Sequence, residues 1–253
     1  MTEPMSQALG HRIIRFERVD STQRVAGQFV DDLEQHGLVV RAEEQTEGRG
    51  RRGAVWLAPP GGCLMFSVLL FPPAAVRRPA VLTMLAAVSV CETVLEHASL
   101  QATIKWPNDV LVNGRKVCGI LTEASGAAVV MGIGLNVNIT RSYFELAGLG
   151  GAGSLLIATG RPLDLEAVFR TLLNHLDAGY AALCRGETAD LEARWRHYSA
   201  LVGRQVEVVT PTGSRTGRLL DLSLDYLSVE EAGGAVNRVT PEAVLDLRAI
   251  DLD

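Results

Sequence analysis

V-L-V-N-G-R-K-V-C-G-I-L-T-E, residues Val110 to Glu123, decides how this chain folds. Two apolar, partly β-branched runs flank Asn113-Gly114, a pair that readily takes the positive φ angles of a tight turn, so the stretch predicts an antiparallel hairpin. Upstream, Thr103 to Trp106 reads as another strand, joined to the hairpin by Pro-Asn-Asp. Downstream, Ala127 to Ile139 reads as one more.

Farther out, helices alternate with strands. His11 to Val19 alternates like a strand, and Asp20-Ser21-Thr22 then opens a helix with Val25, Ala26, Phe29, Val30 and Leu33 on one face, closed by Gly37. Leu38 to Glu44 and Leu64 to Phe71 are predicted strands. Pro79 to His97, Leu163 to Cys184 and Asp190 to Tyr198 are predicted helices. Strands joined partly by hairpins and partly by helices imply an α+β domain with a mixed or antiparallel sheet over residues 12–200. From Val202 the chain breaks into short strands at regular spacing: Q-V-E-V-V, R-T-G-R-L-L-D-L, Y-L-S-V-E, A-V-N-R-V and V-L-D-L-R. That pattern predicts a small SH3-like barrel over residues 201–253.

Composition narrows the function. The 253 residues are 47% hydrophobic and 21% charged with a net charge of −5, which fits a folded soluble protein and argues against disorder. The apolar run Ala80 to Cys91 falls short of the roughly 20 residues that span a bilayer, and the N-terminal M-T-E-P-M-S-Q lacks a secretory pattern. Cys63, Cys91, Cys118 and Cys184 are scattered in apolar surroundings, as reduced cytosolic thiols are. The five histidines form no zinc spacing.

Against this acidic background, E-G-R-G-R-R-G-A-V-W from Glu47 to Trp56 places three arginines among three glycines. It matches G-x-G-x-x-G in letters only: Pro59-Pro60-Gly61-Gly62 forbids the helix a dinucleotide loop must open, and no acidic residue follows before Cys91. The Walker pattern is absent too. The acid-free interval carries Arg49, Arg51, Arg52, Arg77 and Arg78, cations that sequence alone places clear of neutralising partners. Either the loop is a solvated surface turn or it clamps an anion with guanidinium forks and backbone N–H groups. Lys105 and Lys116, beside Gly119 and Gly132-Ile133-Gly134, suggest a second basic wall and favour the clamp.

Five motifs in order resemble the biotin protein ligases: D-S-T-Q at Asp20, E-E-Q-T-E-G-R-G-R-R-G-A-V-W at Glu43, K-W-P-N-D at Lys105, G-R-K-V-C-G-I-L at Gly114 and G-I-G-L-N at Gly132. The resemblance implies ATP-dependent conversion of biotin to biotinyl-5′-AMP, then transfer of biotin to a lysine of a biotin carboxyl carrier domain. It implies that Arg49, Arg51 and Lys116 act on the carboxylate and phosphate, and that Ser21, Thr22, Gln23, Gln45, Gly50 and Gly119 complete the biotin site. Trp56, Lys105, Asn108, Asp109 and Asn136 are expected to meet ATP, with magnesium ligands left open. Ser21 and Thr22 also suit a helix N-cap, and Trp56 a core anchor. Gln23, Glu44, Glu47 and Cys118 depart from the family pattern, and Glu47 is expected to point to solvent or pair with Arg52 if the clamp is to work.

Only about ten residues precede the first predicted strand, so no DNA-binding domain or repressor function is expected. No membrane partner is expected, and a homodimer is implied by resemblance alone. A lipoate or octanoate ligase or transferase of the same fold remains the near alternative. An RNA-binding module using R-G-R-R-G is the distant one, disfavoured by 5% aromatic content.

Overall fold

The computed structural model describes residues 8–250; Met1 to Gln7, the stretch read for a leader, lies outside them, as do residues 251–253. Seven strands form the main sheet: β1 (Ile13–Val19), β2 (Val39–Gln45), β3 (Cys63–Leu70), β4 (Ala102–Lys105), β5 (Asp109–Val112), β6 (Arg115–Ser125) and β7 (Ala128–Asn136). Their order is β1-β2-β3-β7-β6-β5-β4, with β1 parallel to β2 and every other pair antiparallel. The mixed sheet is thus the one expected from combined hairpins and helical connections. At the β5–β6 turn Asn113 and Gly114 have φ of 52° and 72°, as an Asn-Gly hairpin requires.

Among the described residues six helices accompany the sheet: α1 (Thr22–Gly27), α2 (Pro79–Ala98), α3 (Arg141–Leu146), α4 (Leu155–Thr159), α5 (Leu165–Cys184) and α6 (Ala189–Ser199). By length and apolar composition α2 could cross a membrane, yet it is mostly buried, packed against β4 and β6 as well as α5 and α6. Its apolar run is therefore core. The first helix is shorter than its periodicity predicted. It ends at Gly27, where helix propensity drops, and the Asp32 carboxylate accepts the Glu34 N–H to start a separate 3₁₀ turn, leaving Leu33 66% exposed. Helices α3 and α4, too short to show a period, were not foreseen; Thr140 and Ser154 cap them by accepting from the N–H groups of Tyr143 and Ile157.

The C-terminal strands are β8 (Gln205–Thr210), β9 (Gly213–Leu222), β10 (Leu227–Glu230), β11 (Val236–Val239) and β12 (Asp246–Ala249). They form a separate antiparallel sheet in the order β11-β10-β9-β8-β12, of the SH3-like kind. Its buried residues, Val206, Leu219 and Leu247 among them, join one continuous core with Phe66 and Leu85. Trp106 bridges the two parts: its indole N–H donates to the Val244 carbonyl (3.2 Å) and its ring meets Trp195 at 5.6 Å. Arg78 adds hydrogen bonds to Glu242 (2.8 Å), Asp225 (2.7 Å) and the Leu224 carbonyl (2.8 Å).

Candidate active site

The floor of the site is where β6 and β7 carry no side chains. Gly119 lies opposite Gly134 across the two strands. A Cβ at Gly119 would stand 2.8 Å from Cζ3 of Trp56, and one at Gly134 would stand 2.5 Å from its Cε2, so only glycines let the indole lie this close to the sheet. Gly132 serves the neighbouring side chain in the same way: its Cβ would stand 2.6 Å from Oε1 of Gln23.

The arginine loop delivers Trp56 to that floor. Arg49 and Val55 pair as an isolated bridge, Gly50 N–H donates to the Ala54 carbonyl (2.7 Å), and Trp56 N–H donates to the Gly48 carbonyl (2.9 Å). Between them Arg51–Gly53 make one 3₁₀ turn with Arg52 at φ 54°. The result is a closed turn whose flanks face a cavity of about 240 Å³. Trp56 is half-buried, a cavity wall on one side and packed against Cys63, Met65, Ile139 and Phe144 on the other. Core anchor and site wall are one residue here.

The cavity has two chemically different ends. Its inner end is neutral and buried. Thr22 and Gln45 interlock: the Gln45 Oε1 accepts from Thr22 N–H (2.7 Å) and hydroxyl (3.1 Å). Ser67 lies 2.9 Å from the Thr22 hydroxyl and donates to Gln23 Oε1 (3.0 Å). Ser21 occupies the N-cap position of α1 but its side chain makes no capping bond. Its hydroxyl is fully buried, without a partner, and lines the cavity. A buried hydroxyl left unsatisfied is costly, and this one lies at a cavity wall, open to a bond from a ligand.

At the mouth stand three cations, and two are already paired. Arg49 forms a forked ion pair with Glu123 (2.9 and 3.0 Å), and Lys116 pairs with Asp109 at 2.7 Å while its Nζ sits 5.7 Å from the Trp56 ring centre. Arg51 instead donates to the neutral amide of Asn108 (3.0 Å), whose own N–H is spent on the Ile120 carbonyl. Burial, with the neighbouring Arg52, pushes the Arg51 guanidinium below its usual value, against the pull of Asp109. It is the cation most in need of an anion.

This geometry corrects the expectation of unneutralised cations for Arg49 and Arg78: their carboxylate partners are distant in sequence, Glu123 arriving on β6 and Asp225 and Glu242 from the C-terminal part. Glu47, feared as a neighbour of the clamp, pairs with Arg24 (2.8 Å), not Arg52; Arg24 also binds Asp20. Ser21, Thr22, Gln23, Gln45, Arg49, Gly50, Arg51, Trp56, Asn108, Asp109, Lys116 and Gly119 all line one cavity. Two expected residues do not. Lys105 lies exposed at the end of β4, and Asn136 is buried, its amide donating to the Gly153 carbonyl at 3.0 Å. Sequence reasoning missed Ser67 and Glu123. A lone serine inside the apolar run C-L-M-F-S-V-L-L was the available signal for the first; nothing local marked the second. Beneath the site, burial pushes the Cys63 thiol up to about 12 and raises Cys118 as well, so both stay neutral at ordinary pH. A second cavity, of about 370 Å³, opens on the other side of Arg51 and Asn108, between α2 and the segment Pro241 to Val244.

A neutral head pocket, a glycine floor and a cationic mouth on a mixed sheet define a site built to activate a small carboxylic acid. The chain belongs to the biotin/lipoate A/B protein ligase family, whose model matches residues 15–139. The bifunctional ligase/repressor BirA of Bacillus subtilis is 30% identical over 241 residues, covering 92% of this chain and 74% of that protein. The biotin–[acetyl-CoA-carboxylase] ligase of Paracoccus denitrificans is 32% identical, covering 79% of this chain and 86% of its own length. In structure, the biotin protein ligase of Aquifex aeolicus in complex with biotin and ATP superposes with a TM-score of 0.80 at 27% identity, over 95% of this chain and all of that one.

Proposed function

We propose that this chain is a biotin–protein ligase: it joins biotin to ATP as biotinyl-5′-AMP, releasing pyrophosphate, and then transfers biotin to a lysine of a biotin carboxyl carrier domain. The observation that carries this reading is the two-ended cavity, with the orphaned Ser21 hydroxyl at its neutral end. Biotin has a ureido ring with one strong acceptor and two N–H donors, an apolar body and chain, and a carboxylate. Ser21, Thr22 and Gln45 suit the first, the floor beneath Trp56 the second, and Arg51 with Lys116 the third. Lipoate and octanoate offer no ureido group, and in that pocket they would leave buried polar groups unpaired.

The reaction follows from charge. A biotin carboxylate oxygen attacks the α-phosphorus of ATP, the bond to the bridging oxygen breaks, and pyrophosphate leaves. Both reactants are anions, so the mouth must be cationic before they can meet. Arg51 and Lys116 hold the carboxylate and the developing charge, with Arg49 beside them. Trp56 offers its face to the adenine, and Asn108 and Asp109 flank the phosphates. In the second step the acceptor lysine amine attacks the activated carbonyl and AMP leaves. Magnesium would enter with the nucleotide, whose phosphate oxygens ligate it. We place the catalytic unit at residues 12–200 and the barrel beyond it, in a cytosolic enzyme that could pair as a homodimer.

The test is exchange of labelled pyrophosphate into ATP. Exchange that depends on biotin, and not on lipoate or octanoate, is the expected result. Exchange driven by octanoate instead, or none with any of the three acids, overturns the assignment.

A further inference from the structure

Glu123 stands behind the cavity wall, bonded to Gln23 of the inner end and to Arg49 of the mouth, and neither the adenylation chemistry nor the charge argument requires a carboxylate there. One face of it takes Arg49 in a fork, through Nη1 (3.0 Å) and Nη2 (2.9 Å). Its Oε2 also accepts from the Gln23 amide N–H at 3.0 Å. The second N–H of that amide goes to the Val130 carbonyl, likewise at 3.0 Å. Both partners can only accept, so the Gln23 amide has one permitted orientation, with Oε1 turned to Ser67.

The consequence passes along the chain of side chains. Ser67 has a single hydroxyl proton and must give it to Gln23. Between Ser67 and Gln45 Oε1, neither of which can then donate to it, the Thr22 hydroxyl can only give its own proton away. Its oxygen keeps its lone pairs for an incoming N–H. Gln45, pinned through Oε1 by Thr22, is left with its amide N–H groups to offer. A neutral pocket is thereby held in one donor and acceptor pattern before any ligand enters.

We propose that Glu123 is the positioning residue of this site, its carboxylate holding the Arg49 guanidinium and the Gln23–Ser67–Thr22 chain in the arrangement that recognises the head group of the acid substrate. The proposal rests on the biotin reading above. Glu123 does not touch the reacting atoms; it acts through Arg49 and Gln23. Its charge also neutralises Arg49, as Asp109 does Lys116, which leaves Arg51, among the described residues, as the one cation of the mouth without a carboxylate partner.

The experiment is equilibrium binding of biotin, without nucleotide, to the parent, Glu123→Gln, Ser67→Ala and the double variant, with ATP binding in the absence of biotin as the control. Glu123 and Arg49 have side chains 41% and 44% exposed, so neither is stranded as a buried charge by the substitution and the variant retains its fold. Glu123→Gln is expected to weaken biotin at least about tenfold, the scale for losing a hydrogen bond to a charged group. ATP affinity is expected to stay within about twofold, since the effect is confined to the head-group chain, and the thermal midpoint to fall only slightly, since the Glu123–Arg49 pair is part-exposed. In the double variant the loss should fall well short of the product of the two single losses, because both break the same chain. Biotin affinity equal to the parent's overturns the proposal, and so does equal loss of biotin and ATP binding or full additivity with Ser67→Ala. A parent that binds no biotin overturns the enzyme assignment itself, so the two failures are told apart by the parent alone.

Discussion

The inner end and the mouth of the cavity are built on opposite principles. At the inner end, Thr22, Gln45, Ser67 and Gln23 satisfy one another in a single buried chain, and one hydroxyl, Ser21, is left over. At the mouth, half-exposed Arg49 and Lys116 are satisfied pairwise by carboxylates, and Arg51 by a neutral amide. Buried neutral groups held in one donor and acceptor pattern penalise any ligand that leaves one of them unpaired, so the inner end is suited to discriminate. Arg49 and Lys116, already paired, must exchange partners when an anion arrives and are suited to respond to charge that develops in the reaction, while Arg51 is left to meet the resting carboxylate.

The sharpest way to break this contrast is Lys116→Ala. If the mouth acts on developing charge, single-turnover adenylate formation should slow by about a hundredfold or more, with biotin affinity little changed. A rate within about threefold of the parent removes Lys116 from the chemistry.

Next in size is Gly134→Ala, which tests the floor shared by both ends. The new methyl would meet Trp56 at 2.5 Å, and the indole, wedged against Met65 and Phe144, has little room to yield. Overpacking of this kind should cost about 1–3 kcal/mol in thermal or denaturant unfolding and disturb the Trp56 environment. Unchanged stability would mean that Trp56 moves freely and is no anchor.

Ser21→Ala sharpens the inner end by giving opposite signs in two measurements. Biotin binding should weaken by about tenfold or less, the worth of one neutral hydrogen bond, while the unliganded protein should be as stable as the parent or more so, because an unsatisfied buried hydroxyl has gone. Loss of stability without loss of affinity would restore a purely structural role.

The smallest expected effect is none. Cys63 and Cys118 lie under the site but are buried with thiols raised well above their ordinary range, whereas Cys184 is exposed. Alkylation near pH 8 should therefore label Cys184 and leave pyrophosphate exchange intact. A raised thiol pKa means the thiolate appears only as pH climbs toward it, so inactivation at pH 8 would contradict the burial of these two residues.

Much of this was legible from the chain. The Asn113-Gly114 turn, the period-two strands and the long apolar helix foretold a mixed sheet and a terminal barrel, because hydrophobic period and turn chemistry act over a few residues. The motif around Arg49 and the lysine at 116 named most of the cavity wall. Distances through space were not legible. The acid-free interval from Gly48 to Cys91 suggested bare positive charge, yet Glu123 reaches Arg49, and Asp225 and Glu242 reach Arg78, from far along the sequence. Helix α1 stopped early because Gly27 and the Asp32 turn outweighed a short apolar period.

By itself, then, the sequence determined which elements form and which chemical groups the chain owns, since both follow from local preference and residue type. Only the tertiary structure decided which cation is left without a carboxylate, which hydroxyl is left without a partner and that Glu123 belongs to the site at all. Pairing between charges and satisfaction of buried polar groups depend on separations of about 3 Å between groups remote in sequence. The register of β5, β6 and β7 sets those separations, and no local pattern encodes them.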